Sequence, residues 1–331
     1  MIKEEFGLKE LNDKQNKINL KFNKDSLTKF MIKSSKSDKP HCDLDFIKKL
    51  GLKPTSNYQC GTIYRWMNSQ RTIPLKKLKL IVKLGSLDWK EIEKNINSLN
   101  ARRGIANIIF PIKINQKLGS IVGHILGDGS IDKKYQQVFF SNSDKTLLKE
   151  FESSMKEIFG IEPRIWMQNK PEFGNTSWDK RLKSIRELKD GRNGALFYPT
   201  ICGLILNDIF DDFSIGRDKR ITKEMLNTDK EFKAGLIRAF YDDESSVGNK
   251  NIRVFQDRKE ILETFRKLLS EFSITASSVK SYKKRDIDRY YFDIFRKSNI
   301  RIFEKEIGFT SPKKNDKLNE IINRKPHGND R

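Results

Sequence analysis

The sequence has few of the features that mark secreted, disulfide-linked or membrane-spanning proteins. Its three cysteines, Cys42, Cys60 and Cys202, form an odd and scattered set that favours a reducing compartment. It contains no run of about 18 apolar residues, so no segment predicts a transmembrane helix. The opening stretch, MIKEEFGLKELNDKQNKINL, carries acids and lacks the apolar core of a secretory signal. We therefore expect a cytoplasmic protein in a reducing, intracellular environment.

Histidine is equally scarce, with 3 residues in the chain. His41, Cys42 and Cys60 lie close enough in sequence to raise the possibility of a zinc site. They lack a fourth ligand and a CxxC pair, which structural zinc sites of this kind generally have. We interpret these residues as structural or incidental.

Positive charge is what the sequence has in excess. The 66 lysines and arginines outnumber the 44 acids, which gives a net charge of +22 over 331 residues. A surplus of this size predicts a polyanionic partner, and double-stranded DNA is the favoured one. An anionic membrane surface is the alternative, although nothing in the sequence would span a bilayer. No protein partner is implied.

One stretch occurs twice, as KLGSIVGHILGDGSI from Lys117 and as KAGLIRAFYDDESSV from Lys233. Gly119 and Gly123 are four residues apart in the first copy, and Gly235 and Ala239 repeat that spacing in the second. Residues at i and i+4 share one face of a helix. Small residues there predict two helices whose backbones approach closely.

Each copy ends in an acidic tip, at Asp128 and at Glu244. If the two helices pack together, these carboxylates lie side by side. Neighbouring carboxylates repel each other unless a cation lies between them, and hard oxygen donors suit Mg²⁺. The repeat therefore predicts a site for Mg²⁺ or Mn²⁺ between the halves.

The two copies resemble the nine-residue motif of the LAGLIDADG, or DOD-type, homing endonucleases, on residues 121–129 and 237–245. The resemblance implies that Asp128 and Glu244, at the eighth motif position, bind metal and are catalytic. Backbone carbonyls of Gly127 and Asp243 would complete the coordination. Two motifs in one chain resemble the single-chain, pseudo-twofold members, which implies a monomer that hydrolyses both strands of duplex DNA.

The repeat extends beyond the motif. Strand-like Val138–Phe140 and Ile252–Val254 each lead into an amphipathic helix, in which Phe151 matches Phe265. We predict an α+β fold of duplicated αββαββα units with saddle-shaped antiparallel sheets, as in that family. The predicted halves are residues 117–215 and 216–331, the second with a basic tail.

A small all-α domain is predicted over residues 41–100, after a polar arm at 1–40. The segment IYRWMNSQRTIP resembles the recognition region of repressor-type helix-turn-helix modules, with Trp66 in its core. In this interpretation Gln59, Thr62 and Arg65 face bases, and Arg71 and Lys76 contact phosphates. The alternative is a helical packing module without DNA contact.

Further basic residues are candidates for DNA contact. The predicted linker at 101–116 begins with Arg102 and Arg103, which resemble a phosphate-tracking tether, and continues as an extended segment, Ile108 to Ile114. On the predicted strands of the second half, Arg253, Lys283 and Lys284 are expected to bind DNA.

The sequence departs from the family where a basic residue often follows a strand, since those positions hold Ser143 and Asp257. Lys145 and Lys259, at the start of the next helices, are the candidates to replace it as catalytic residues. If they do not, the chain fits a DNA-binding transcriptional regulator that no longer cuts. An intron RNA maturase is a third possibility. The sequence gives neither a target site nor an origin in an intron or intein.

Overall fold

The computed structural model describes residues 4–12, 18–54, 60–101, 104–168, 180–215, 218–284 and 287–324. An N-terminal unit precedes two similar halves. Among the described residues, no helix combines the length and apolar character needed to cross a bilayer.

The N-terminal unit combines helices with short strands. Its elements are β1 Glu5–Phe6, β2 Asn19–Phe22, α1 Lys24–Ser35, α2 Leu44–Lys49, α3 Gly61–Met67, β3 Ile73–Pro74, α4 Leu75–Gly85, α5 Trp89–Lys94, β4 Ile96–Ala101, β5 Gly104–Ala106 and β6 Ile112–Lys113.

The prediction that this unit is all-α is wrong. Strands β3, β2, β4 and β5 form an antiparallel sheet in that order. Its central pair joins Leu20 to Leu99, and both side chains are fully buried. Residues assigned to a polar arm thus supply a strand and helix α1, which packs on α4. Pairing across so long a separation leaves no local pattern in the sequence.

The predicted linker docks as an extended segment, as expected. Ile108, Phe110, Ile112 and Ile114 are buried, whereas Ile109 between them is exposed. This alternation with a period of two is that of a strand lying on a core. Strand β6 in this segment pairs with β1, so it ties the start of the chain to the first half.

The first half follows the predicted order, with one additional strand in its sheet and a separate two-stranded hairpin after the last helix. Its elements are α6 Gln116–Leu126, β7 Gly129–Ile131, β8 Val138–Asn142, α7 Lys145–Phe159, β9 Arg164–Met167, β10 Lys180–Leu182, β11 Gly194–Tyr198, α8 Thr200–Ile209, β12 Ser214–Ile215 and β13 Asp218–Lys219. Strands β10, β9, β11, β8 and β7 form one antiparallel sheet in that order, and β12 and β13 form a separate hairpin.

The second half repeats the αββαββα order, with a short helix before it and a further helix after it. Its elements are α9 Lys223–Leu226, α10 Lys230–Glu244, β14 Ser245–Val247, β15 Ile252–Gln256, α11 Lys259–Glu271, β16 Lys280–Lys284, β17 Ile287–Ile294, α12 Lys297–Glu306 and α13 Pro312–Asn323. Its sheet has the antiparallel order β14, β15, β17, β16. The predicted duplicated α+β fold is therefore confirmed.

Helices α6 and α10 lie between the two halves. Asn115 and Asp229 cap them, because each side chain accepts a hydrogen bond from a backbone N–H in the first turn. Every residue of α6 from Leu118 to Leu126 is buried. A helix buried all round belongs at the centre of a fold rather than on its surface. This central pair carries the repeated motif to the base of both sheets.

Candidate active site

Glycines let the central helices approach each other closely. A Cβ atom on Gly119 would lie 2.1 Å from the carbonyl oxygen of Phe232, and one on Gly123 would lie 2.4 Å from that of Leu236. A Cβ on Gly235 would lie 2.0 Å from the carbonyl oxygen of Gln116. These separations are shorter than any van der Waals contact, so a larger side chain would force the helices apart. The small residues read from the repeat therefore have a packing function.

The acidic tips follow from how each helix ends. Helix α6 stops at Leu126, and Asp128 stands two residues later at the entrance to β7. Helix α10 continues through Glu244, which directly precedes β14. Burial, together with the nearby carboxylate of Asp243, raises the pKa of Asp128 to about 7, although Asp128 keeps contact with solvent. Burial raises the pKa of Glu244 to about 7, with an added contribution from Asp128.

An amide side chain at the end of a strand supports each acid. Asn142, the last residue of β8, donates from Nδ2 to Oδ2 of Asp128 at 3.0 Å. Gln256, the last residue of β15, donates from Nε2 to Oε1 of Glu244 at 3.5 Å. These contacts orient the carboxylates and leave their charge in place. Neither amide was predicted from the sequence, although each directly precedes a position, Ser143 or Asp257, where the family often has a basic residue.

Two lysines reach the ends of the motif helices. Lys219 donates from Nζ to the carbonyl oxygens of Leu126, at 3.2 Å, and Gly127, at 2.5 Å. Lys314 donates from Nζ to those of Tyr241, Asp242 and Ser245, at 2.8, 2.6 and 2.6 Å. Cations are favoured at helix C-termini, where the backbone carbonyls lack partners.

The surroundings of these two lysines also change their pKa values. Burial lowers the pKa of Lys219, while the carboxylates of Glu244 and Asp128 partly offset that shift. Burial likewise lowers the pKa of Lys314, which Asp242 and other acids partly offset. A lysine with a lowered pKa can exchange a proton near neutral pH more readily than a solvated one. Lys219 lies in a hairpin and Lys314 in a helix, so no repeated pattern in the sequence relates them.

A buried histidine joins the halves. His124 of α6 bonds through Nδ1 to Oδ2 of Asp243 and through Nε2 to Oε2 of Glu150, both at 2.9 Å. Burial alone lowers the pKa of His124, but the two carboxylates overcome that effect and raise it to about 10. The imidazole is therefore a cation between two anions. Ser120 and Ser154 donate to the other oxygen of Glu150 and complete the network.

Of the two predicted carbonyl ligands, that of Gly127 already has a protein partner. The carbonyl oxygen of Gly127 accepts from Lys219, and the side chain of Asp243 is turned inward to His124. Among the described residues, no group of three or more His, Cys, Asp or Glu side chains is arranged to hold a metal. Mg²⁺ is commonly held by one or two carboxylates together with substrate phosphates and water. Two neighbouring carboxylates whose pKa values are raised fit such an ion, because a cation would relieve their repulsion.

The structure does not bring the predicted catalytic lysines to the acids. Lys145 donates to Asp190 at 2.7 Å, on the outer side of α7. Lys259 is exposed in the first turn of α11. Ser143 is exposed, and Asp257 forms an ion pair with Arg289. Among the described residues, neither lysine forms a hydrogen bond or ion pair with Asp128 or Glu244.

The N-terminal candidates for DNA contact are partly outside the described residues, which exclude Gln59, Arg102 and Arg103. On α3, Arg65 is exposed and Thr62 is half-buried, while Trp66 is buried in the core, as predicted. Arg71, after this helix, is exposed. The helix-turn-helix assignment remains a prediction.

The three candidates in the second half lie on its sheet. Arg253 lies on β15 beside Asp293. Lys283 is exposed on β16, where strand alternation turns it to the opposite face from Arg253. Lys284 ends β16, and its side chain is outside the described part of the chain. Of the three, Arg253 has the most defined surroundings.

Comparison with known proteins supplies a family for this architecture. A family model described as a LAGLIDADG-like domain matches residues 115–202 and 231–308. Two curated relatives come from Methanocaldococcus jannaschii. The replication factor C small subunit is 27% identical over 246 residues, which are 72% of this chain and 12% of the relative. The DNA-directed RNA polymerase subunit Rpo1C is 25% identical over 214 residues, 64% of this chain and 21% of the relative. The chain thus spans only a minor part of each.

Solved structures with similarity include homing endonucleases. The structure of I-DmoI in complex with DNA and Mn has a TM-score of 0.41 and 14% identity, and the match covers 59% of this chain and 98% of that one. The homing endonuclease I-WcaI bound to its DNA recognition sequence has a TM-score of 0.43 and 15% identity, with coverage of 62% and 87%.

Proposed function

Because the chain belongs to the LAGLIDADG-like domain family, we propose that it is a site-specific DNA endonuclease that hydrolyses both strands of a duplex with Mg²⁺ or Mn²⁺. One observation carries the proposal. Asp128 and Glu244 stand at the ends of two close-packed helices, each with an amide on its carboxylate and a lysine at its helix end. The net charge of +22 supports DNA as the substrate.

The roles of the protein groups follow from their contacts. Asp128 and Glu244 would hold the divalent ion, which when bound would polarise the phosphate and lower the pKa of water. Asn142 and Gln256 keep the carboxylates oriented. Lys219 and Lys314, with their lowered pKa values, take over the role first assigned to Lys145 and Lys259, exchanging a proton with attacking water or leaving oxygen.

The curated relatives support an origin within larger proteins. A replication factor subunit and an RNA polymerase subunit have different activities, yet each shares a minor segment with this chain. A segment that is shared by proteins with unrelated activities is not the part responsible for either activity. This pattern supports a module inserted into different hosts, as an intein is, over a module belonging to replication or transcription.

Cleavage and binding can be separated with the acid variants. A plasmid library of random duplexes, incubated with Mg²⁺ and the whole chain, should yield a cut subset with a shared site. Asp128→Asn or Glu244→Gln should lower the cleavage rate more than about a thousandfold and leave duplex affinity within about tenfold, since phosphates are held elsewhere. Glu306→Gln, at a surface ion pair with Lys230, is the matched control and should cut normally.

Two outcomes would contradict the proposal. Full cleavage by Asp128→Asn would show that the acids are not the metal ligands. Tight, sequence-specific binding by the unaltered chain without any cutting in Mg²⁺ or Mn²⁺ would instead identify a DNA-binding regulator.

A further inference from the structure

One face of the second sheet carries a preorganised arginine. On β15 and β17, Val254 and Phe292 are fully buried on the side where α11 packs. Strand alternation places Arg253 and Asp293 on the opposite face, directly across from each other in the strand register. This face is turned away from α11 and also carries the exposed Lys280, in register with Tyr291, so it is where the proposed duplex would lie.

Three neighbours hold Arg253 and its partner in place. Its Nε and Nη2 donate to the two carboxylate oxygens of Asp293, at 2.8 and 3.0 Å. The guanidinium lies 4.4 Å from the ring centroid of Tyr291. Asn251 donates a further hydrogen bond to Asp293 at 2.6 Å, and the Asp293 side chain is only 14% exposed. A side chain that normally samples many rotamers is thus fixed in one plane.

The remaining donors of Arg253 are left as a pair. Asp293 occupies Nε and one N–H of Nη2, and within the described part of the chain Nη1 donates to no protein acceptor. The outer edge of the guanidinium therefore presents parallel N–H groups from Nη1 and Nη2. Such an edge matches two acceptors in one plane, as in a phosphate, a carboxylate or the N7 and O6 atoms of guanine.

Charge decides among these acceptors. Asp293 already neutralises Arg253, so a second anion at the outer edge would also meet the repulsion of that carboxylate. A guanine edge is neutral and offers two acceptors. Adenine offers N7 but presents an amino donor beside it, which would face another donor. The site therefore favours guanine over both phosphate and adenine.

We propose that Arg253, held by Asp293 and Tyr291, reads a guanine in the major groove of the half-site beneath the second sheet. The inference rests on the proposed function as a DNA-binding endonuclease. Gln256, which contacts Glu244, is three residues along the same strand, about 10 Å at the rise of a β-strand. If β15 runs along the groove, at about 3.4 Å per base pair the guanine would lie roughly three base pairs from the acids.

Within the described residues of the first half, the equivalent register position has no such arginine, so no guanine is required at the symmetric position of that half-site. Ser130 opposes Phe139 there, as Ser246 opposes Arg253 in the second half. Phe139 in turn pairs with Phe197, and their ring centroids are 5.0 Å apart. An aromatic pair replaces the Arg253–Asp293 pair. The two half-sites are therefore read by different chemistry.

The test starts from duplexes selected by the whole chain from a random library in buffer containing EDTA, so that binding is measured without cutting. The selected site should show one guanine preferred by roughly 10- to 100-fold, in one half only. Replacing that base with 7-deazaguanine removes N7 and should lower affinity at least about fivefold. This arm uses the unaltered protein, so it stands even if a variant folds poorly.

Variants then assign the preference to Arg253. Arg253→Met should lose the preference at that position alone, and 7-deazaguanine should have no further effect on its affinity. Lys280→Met, which removes an exposed charge paired in register with Tyr291, is the matched control. It should weaken binding to all sequences alike and keep the preference. Thermal unfolding of each variant verifies that it is folded.

The outcomes distinguish this inference from the proposed function. A guanine preference that persists in Arg253→Met, or unchanged affinity of the unaltered chain for 7-deazaguanine, overturns the guanine reading and leaves DNA binding intact. A library from which the unaltered chain selects no duplex at all overturns both.

Discussion

The two halves place the same chemical groups around their acids from different parts of the fold. In the first half, the lysine at the helix end comes from the β12–β13 hairpin, as Lys219. In the second, it comes from the additional helix α13, as Lys314. Helix α6 ends before Asp128, whereas α10 runs through Glu244. In both halves a lysine side chain contacts the last carbonyl groups of the motif helix, beside the acid. The element that carries this lysine differs between the halves.

The motif helices also differ where they meet. His124 in α6 occupies the motif position that Phe240 occupies in α10. Phe240 stacks on Phe265 with ring centroids 4.0 Å apart, and His124 lies 5.8 Å from Phe151. One half thus has an apolar contact where the other has a cation bonded to Asp243. A duplicated chain can make such unlike contacts because each half is encoded separately.

After the acids themselves, the two lysines are expected to have the largest effect on cleavage, and they test most directly whether the two halves are equivalent. Lys219→Met and Lys314→Met should each lower the single-turnover cleavage rate by roughly a hundredfold, since each removes a positioned proton-transfer group. If each half serves one strand, either variant should accumulate nicked plasmid. The measurement is single-turnover cleavage at saturating enzyme, which separates chemistry from binding.

Lys145→Met and Lys259→Met are the matched controls at the positions that the sequence favoured. Because Lys145 is bonded to Asp190 and Lys259 is exposed, we expect changes of less than about threefold. Slower cleavage by these variants than by Lys219→Met would return the catalytic role to the original pair.

The His124 contact is expected to dominate stability rather than chemistry. His124→Phe makes the first helix resemble the second but leaves the buried carboxylate of Asp243 without its cation. Removing one partner of a buried ion pair costs about 3–5 kcal/mol in the free energy of unfolding. Adding Asp243→Asn removes the unpaired charge and should recover more than half of that loss. Urea unfolding of both variants measures the difference, and equal stability of the single and double variants would contradict the pairing.

The sequence was sufficient for features that depend on periodicity. The i, i+4 glycines, the acidic tips and the repeated order of helices and strands all leave a regular pattern, and the structure has each of them. The supporting groups were missed because they arrive through tertiary contact. Lys219 and Lys314 lie in unlike elements far along the chain from the acids they approach.

The N-terminal unit shows the same limit. Its helices follow apolar periodicity, but β2 pairs with β4 across most of the unit. The His124 network was also unreadable, since Asp243 and Glu150 come from other helices. Patterns along a chain do not show which distant residues meet.

The smallest expected effect is a pH dependence that the paired acids impose on the metal-free protein. Burial raises the pKa of Asp128 from 3.8, and that of Glu244 from 4.5, to about 7. Between about pH 4 and pH 7 the folded state therefore binds more protons than the unfolded chain. Stability must then fall as pH rises through this window and level off above it.

The decrease in stability with rising pH should be small, and a bound metal ion should reverse it. Because Asp128 keeps contact with solvent, we expect a loss of about 1 kcal/mol between pH 5.5 and 8 in EDTA. His124, whose pKa is raised from 6.5 to about 10 by its two carboxylate partners, contributes stability that is fully present below its unfolded pKa and is lost as the pH rises toward 10, which adds a slope of the same sign. The double variant Asp128→Asn/Glu244→Gln retains His124, so the difference in slope isolates the acids. Urea unfolding at the two pH values should show that the stability of the variant depends less on pH and that, at pH 8, the variant is more stable than the unaltered protein.

Mg²⁺ should stabilise the unaltered protein more at pH 8 than at pH 5.5, because protons compete with the ion for both carboxylates. An unaltered protein whose stability is as independent of pH as that of the variant would mean that burial and neighbouring carboxylates do not raise the pKa values of the two acids.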